Sequence, residues 1–382
     1  MKTRLFAGIC IVAVLAVFQV LMASTFSLAY GDFAAFYTGA RVAAEGRLAD
    51  LHDETLQKRM QAPLIPPGWH PVYFVRLQSW AALLLPFGLL PFRTSFLLWV
   101  IAQAAILVSG WIWAARRFGI DAAVLAAMFP PAALGIAFGQ DVAFVFGLVL
   151  LSWVLFERGY GFAAGLFLGM CAVKPQLVFI VPLALIIQQR WRILAGFLCG
   201  GTVMAGGSMV LGGWRALPRY AAFLSRVAGV LGNRHEGEMN VSAILVNAGL
   251  PLSLRFVLMA AVVAAVVLAC RRAGWEMGLA AAMLASFLTA PHTGNYDATS
   301  LMVGVCLTVF RAATLPVRVL ATAFFTPIPW LLQLLDPPWT GVPALLLFCL
   351  LMAMAWEGFR RTAAAADSPV RGAVLRAPEP SV

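Results

Sequence analysis

The chain has 382 residues, 62% hydrophobic and 11% charged, with mean hydropathy +0.89. Soluble globular domains carry about 25% charged residues, so a water-soluble fold is excluded. The net charge of +11 does not point to nucleic acid, because the basic residues stand in small groups between apolar runs, which is the orientation signal of membrane proteins.

Apolar runs long enough to cross a bilayer recur along the chain, and the alternating strand patterns of a barrel are absent. The expected fold is therefore an all-α polytopic membrane protein, since helices satisfy their own backbone in lipid. Lys2 and Arg4 precede an apolar run over 5–28. A cleaved signal peptide has a core of about 7–15 residues, so this run reads as a retained first helix with its basic end in the cytoplasm. The polar stretch 31–76 then falls outside.

The apolar segment 72–90 is interrupted by Arg76, Gln78 and Pro86. If it spans, Arg116 and Arg117 fall outside and the charge pattern inverts. Read as an interfacial helix on the outer face, it leaves spans at 95–115, 119–138, 142–157, 160–174, 176–189, 193–212, 253–270, 276–291, 297–311, 316–334 and 341–357. The inner turns then hold Arg116-Arg117, Arg158, Arg190, Arg192, Arg271-Arg272, Arg311 and Arg318, which satisfies the positive-inside rule. The expectation is about twelve transmembrane helices with both termini cytoplasmic. It forms one integral membrane domain over 1–361, with outer segments at 31–94 and 213–251 and a disordered tail over 362–382.

All six cysteines fall inside hydrophobic runs, so neither a disulfide framework nor a metal centre is expected. The four histidines match no metal-ligand spacing, and a divalent cation has no ligand motif behind it.

Under this topology Asp32, Asp141, Lys174 and Asp297 lie on the same outer side. Asp32 sits just past the first apolar run among Phe33, Phe36 and Tyr37, where partial desolvation makes a carboxylate a better base. It also suits the N-cap of a helix starting at Phe33, and that helix would carry Tyr37 and Arg41 on the same face. Gly139-Gln140-Asp141 reads either as a tight turn with a capping Asp or as polar side chains that hold hydroxyls. Lys174, before Pro175 and Gln176, is an ionisable residue between two apolar runs on the side where the positive-inside rule gives it no reason to be. A lysine there suits a phosphate. The turn 291–297 gathers His292, Tyr296 and Asp297. No serine-hydrolase, zinc-protease or nucleotide-binding motif is present.

Asp32-Phe33 with Tyr37, the stretch 43–53, Pro86 with Pro91, Gly139-Gln140, Lys174-Pro175-Gln176 and the turn 291–297 occur in an order that resembles glycosyltransferase family 87, of the GT-C fold. The resemblance implies a bacterial inner-membrane enzyme that moves a hexose, mannose foremost, from a polyprenyl-phosphate donor. The acceptor would be a hydroxyl of a lipid or glycan at the outer face. It further implies Asp32 as general base, and Lys174, His292 and Arg219 around the donor phosphate. Tyr37, Arg41, Gln140, Asp141, Gln176, Tyr296 and Asp297 would line the sugar or acceptor site. No cofactor is implied, and the partners are the donor, the acceptor and membrane lipid. The competing readings are a secondary transporter, for which an internal repeat is lacking, and a ligase of lipid-linked glycans.

Overall fold

A computed structural model describes residues 31–66, 68, 70–230, 235–272 and 274–366 of the chain. The first helix expected over 5–28 and the end of the tail lie outside them. Among the described residues the chain is all-helical, with no strand.

The described chain opens with α1 (Gly31–Ala44) and α2 (Glu54–Gln61). Asp53 caps α2 by accepting from the amides of Thr55 and Leu56 at 2.8 and 3.1 Å. The segment expected to lie as one interfacial helix instead forms α3 (Gln78–Leu83) and α4 (Leu85–Gly88). Neither is long enough to span. The first turn of α3 packs inward, with Gln78, Ser79, Trp80 and Ala81 buried, while Leu83, Pro86 and Leu89 are exposed. Ser79 Oγ donates to the Met204 carbonyl at 2.8 Å.

Next come α5 (Phe92–Phe118), α6 (Ile120–Ala127), α7 (Pro130–Ala137) and α8 (Val142–Glu157). α9 (Gly161–Met170), α10 (Val181–Ile187) and α11 (Trp191–Gly212) follow. The second polar segment holds α12 (Ala216–Val230) and α13 (Val241–Asn247). The chain continues through α14 (Arg255–Arg272), α15 (Trp275–Thr289) and α16 (Met302–Arg311). It ends in α17 (Leu315–Phe325), α18 (Pro327–Leu332) and α19 (Val342–Ala366).

Among the described residues, four helices are long and apolar enough to cross a membrane: α5, α11, α14 and α19. The pair α6–α7, bent by 46°, makes a fifth if counted as one span. The bend falls at Pro130 and Pro131, which lack the amide that would continue the ladder. Twelve uninterrupted spans are not reproduced among the described residues. The expected span 176–189 breaks into a 3-10 turn at Pro175–Leu177 and the short α10. The span 316–334 breaks at Pro327 into α17 and α18. At the other end, α19 runs past the boundary expected at 361, through an Ala-rich stretch with high helix propensity.

α9 packs tightly against α11. A methyl on Gly165 or Gly169 would land on the carbonyl of Ile193 or Phe197, and one on Gly196 or Gly200 on that of Phe162 or Leu166. Small residues at this spacing let two backbones touch where no hydrophobic effect would drive them together.

Connections collect at two ends of the bundle. At one, Arg117 Nε lies 2.9 Å from Glu157 and Nη2 lies 3.8 Å from Glu276. Glu357 joins this end by accepting from the amides of Ala313 and Thr314 at 2.9 and 3.1 Å. The other end gathers the starts of α1, α8 and the 3-10 segment Asn295–Leu301 with the end of α9.

Candidate active site

Asp32 stands in the first turn of α1. Its Oδ2 accepts from Gln140 Nε2 at 2.7 Å. Gly139 makes this approach possible for two reasons. Its φ is +66°, and a Cβ there would fall 2.7 Å from Phe33 Cβ. Burial raises the pKa of Asp32 above the ordinary carboxylate value, against the lowering effect of the Gln140 hydrogen bond and of Lys174 and Arg76.

Beside Asp32 lies a buried ionic cluster. Arg76 grips Asp141 with both arms of its fork, Nε to Oδ2 at 2.9 Å and Nη2 to Oδ1 at 3.1 Å. Lys174 Nζ is 3.1 Å from the same Asp141 Oδ1 and 2.6 Å from Asp297 Oδ1. Asp297 Oδ2 accepts from the Gly294 amide at 3.0 Å. Asp141 is fully buried, and Lys174 is 2% exposed. Burial works against ionisation of Asp141, but Arg76 and Lys174 outweigh it and hold its carboxyl well below the usual range. The two cations and two carboxylates balance, which is the condition for keeping charges in a low-dielectric interior. Tyr296 faces Lys174, with Nζ 5.6 Å from the ring centre.

A second polar pair stands at the rim. His292 Nδ1 lies 2.8 Å from Glu238 Oε1. Glu238 Oε2 accepts from Asn240 Nδ2 at 2.6 Å, and the same nitrogen reaches the Ala290 carbonyl at 3.1 Å. Donation of a hydrogen bond to Glu238 raises the His292 pKa, so the imidazolium is retained to higher pH than for a free histidine. The His292 side chain is exposed.

Asp32, Gln140, Asp141, Lys174, Tyr296 and Asp297 are thus brought together from four separate stretches of chain. Tyr37 and Arg41 are not turned to the cluster. Tyr37 Oη donates to the Leu90 carbonyl at 2.8 Å, and Arg41 Nη1 to the Gly88 carbonyl at 3.2 Å, pinning α1 to α4 and the turn after it. Gln176 is half-buried next to Lys174. Arg219 is exposed on α12, and no side-chain bond ties it to the cluster among the described residues. Lys174, expected at the phosphate, is already shared between two carboxylates, so an anion reaches its Nζ only by displacing one of them.

Sequence reasoning missed Arg76 as a member of the site. It carried the same signal as Lys174, a charge inside an apolar stretch. His52 supports it: its Nε2 lies 2.9 Å from the Arg76 carbonyl, and its ring stacks on Phe223 at 5.0 Å. Glu238 and Asn240 were also missed, because the contacts that tie them to the site, His292 and the Ala290 carbonyl, lie 54 and 50 residues away.

One end of the bundle thus gathers a carboxylate of raised pKa, a buried ionic cluster and a histidine bonded to Glu238. Comparison with curated proteins and with solved structures finds no match. The model of glycosyltransferase family 87 matches residues 79–291, a stretch that includes Gln140, Asp141 and Lys174 and stops just short of His292. With more than half of its length matched and a polar site framed by membrane helices, the chain belongs to glycosyltransferase family 87 and is a glycosyltransferase.

Proposed function

We propose that the enzyme moves a hexose, mannose foremost, from a polyprenyl-phosphate donor to a hydroxyl of a lipid or glycan acceptor. The reaction takes place at the outer face of the bacterial inner membrane, with inversion. The observation that carries this reading is Asp32: a half-buried carboxylate with raised basicity, held by one hydrogen bond from Gln140, beside a balanced ionic cluster that cannot itself take a proton cheaply. Asp32 takes the proton of the attacking acceptor hydroxyl. Positive charge develops on the sugar as the bond to phosphate breaks, and the departing phosphate needs a cation. Exposed His292, whose pKa is raised by its hydrogen bond to Glu238, is the group that supplies it. Lys174 and Arg76 hold Asp141 and Asp297 in place rather than meeting the phosphate first. The basic turns support this orientation: Arg117, paired with Glu157, lies at the far end of α8 from Asp141, as expected of a cytoplasmic turn with the site outside. A lipid-borne donor also accounts for a chain that is nearly all membrane helix.

The test is transfer of labelled mannose from polyprenyl-phosphate mannose by the purified full chain in detergent, comparing the wild type with Asp32→Asn. Product from the wild type and at least a hundredfold less from a folded variant that still binds donor supports Asp32 as base. Equal product from both removes Asp32 from the chemistry, and no product with any common hexose donor overturns the donor class.

A further inference from the structure

Two polar side chains lie deep in α5, a helix that spans the membrane by length and composition. Trp99 and Gln103 are both fully buried. A buried amide in such a helix is costly unless both its ends are satisfied. With the Gln103 amide in the orientation its neighbours require, Oε1 accepts from Trp99 Nε1 at 2.6 Å and Nε2 donates to the Gln140 carbonyl at 2.9 Å. The Gln140 amide N–H is bonded in turn to the Gly135 carbonyl at 2.9 Å. Both backbone groups of Gln140 are therefore fixed, and its side chain is aimed at Asp32 Oδ2, 2.7 Å away.

One atom of this relay is unused. Gln140 Oε1 is buried and has no hydrogen-bond partner among the described residues, in a residue only 7% exposed. Because Nε2 is committed to the carboxylate, Oε1 is left as an acceptor next to the base, and the donors that a sugar or its acceptor brings are hydroxyls.

We propose that Gln103 is a positioning residue for the transfer reaction: through Gln140 it orients the Asp32 carboxylate and sets Gln140 Oε1 to accept from a substrate hydroxyl. This rests on Asp32 being the general base. Trp99 anchors the inner end of the relay, and its ring stacks on Phe36 of α1 at 5.3 Å, so the same residue ties the relay to the helix that carries the base.

The test uses the full-length enzyme with polyprenyl-phosphate mannose and compares pH profiles for wild type, Gln103→Leu, Trp99→Phe, Gln140→Ala and Asp32→Asn. The other charged and titratable groups around Asp32, namely Arg76, Lys174, Asp141, Asp297 and Tyr296, are unchanged in the first three variants. Gln103→Leu keeps the volume and removes the relay. The expected result is a kcat lower by about 10–100-fold, with donor KM unchanged. The acid limb moves to higher pH because the stabilising donation to Asp32 weakens. Gln140→Ala moves it in the same direction, and the double variant loses little more than the worse single one. Trp99→Phe, which keeps an aromatic ring but removes the Nε1–H donor, gives a smaller shift in that direction and serves if Gln103→Leu does not fold. A lowered kcat with the acid limb in place, or losses that multiply, overturns the relay while leaving the base standing. Full activity in Asp32→Asn overturns both.

Discussion

Replacing Arg76 by Met separates a cluster that merely balances charge from one whose members hold each other. Asp141 is fully buried and takes two charge-assisted hydrogen bonds from Arg76. Removing one partner of a buried pair costs about 3–5 kcal/mol, because the other is left as an uncompensated charge. Here Lys174 stays 3.1 Å from Asp141 Oδ1 and compensates in part, which puts Arg76→Met near the lower limit, about 3 kcal/mol. Asp141→Leu strands Arg76 and leaves Lys174 with Asp297 alone, a loss of about the same size, again roughly 3 kcal/mol. The double variant removes both charges, keeps the Lys174–Asp297 pair, and is expected to be no worse than either single variant, a coupling of about 3 kcal/mol. The assay is reversible unfolding in mixed micelles titrated with a denaturing detergent, followed by helical circular dichroism. Losses that simply add, with no coupling, would refute the view that these four groups act as one unit.

Two further outcomes follow from the same geometry. Gly139→Ala places a methyl on Phe33 and forces a φ of +66° on a residue with a Cβ, so transfer is expected to fall by about a hundredfold as Gln140 withdraws from Asp32, while donor binding measured by photocrosslinking persists; wild-type turnover would sink that reasoning. Glu238→Gln removes the group that raises the His292 pKa. A raised pKa means the imidazolium is retained until pH climbs through the shifted value, so the alkaline limb of the wild-type profile should move to lower pH in the variant, and an unmoved limb would show that His292 does not carry the charge.

What was legible from the amino-acid order is what hydropathy and local charge encode. The apolar runs, the basic turns and the all-helical backbone are all local properties, because a helix satisfies its own hydrogen bonds and lipid asks only for about 20 apolar residues. So was Lys174, whose charge has no place between apolar runs, and Arg76 bears the same mark; Asp32 and Asp297 are legible as carboxylates at the ends of apolar runs. The tertiary structure alone decided which charge meets which. The Arg76–Asp141, Lys174–Asp297 and Glu238–His292 contacts join residues 65, 123 and 54 positions apart. No periodicity encodes such pairs, since they depend on how helices stack rather than on how each one forms. Packing also decided the breaks. Where prolines cut 176–189 and 316–334 into short pieces, the freed backbone groups are tolerable only because neighbouring helices cover them, and that is a fact about the assembled bundle rather than about any one segment.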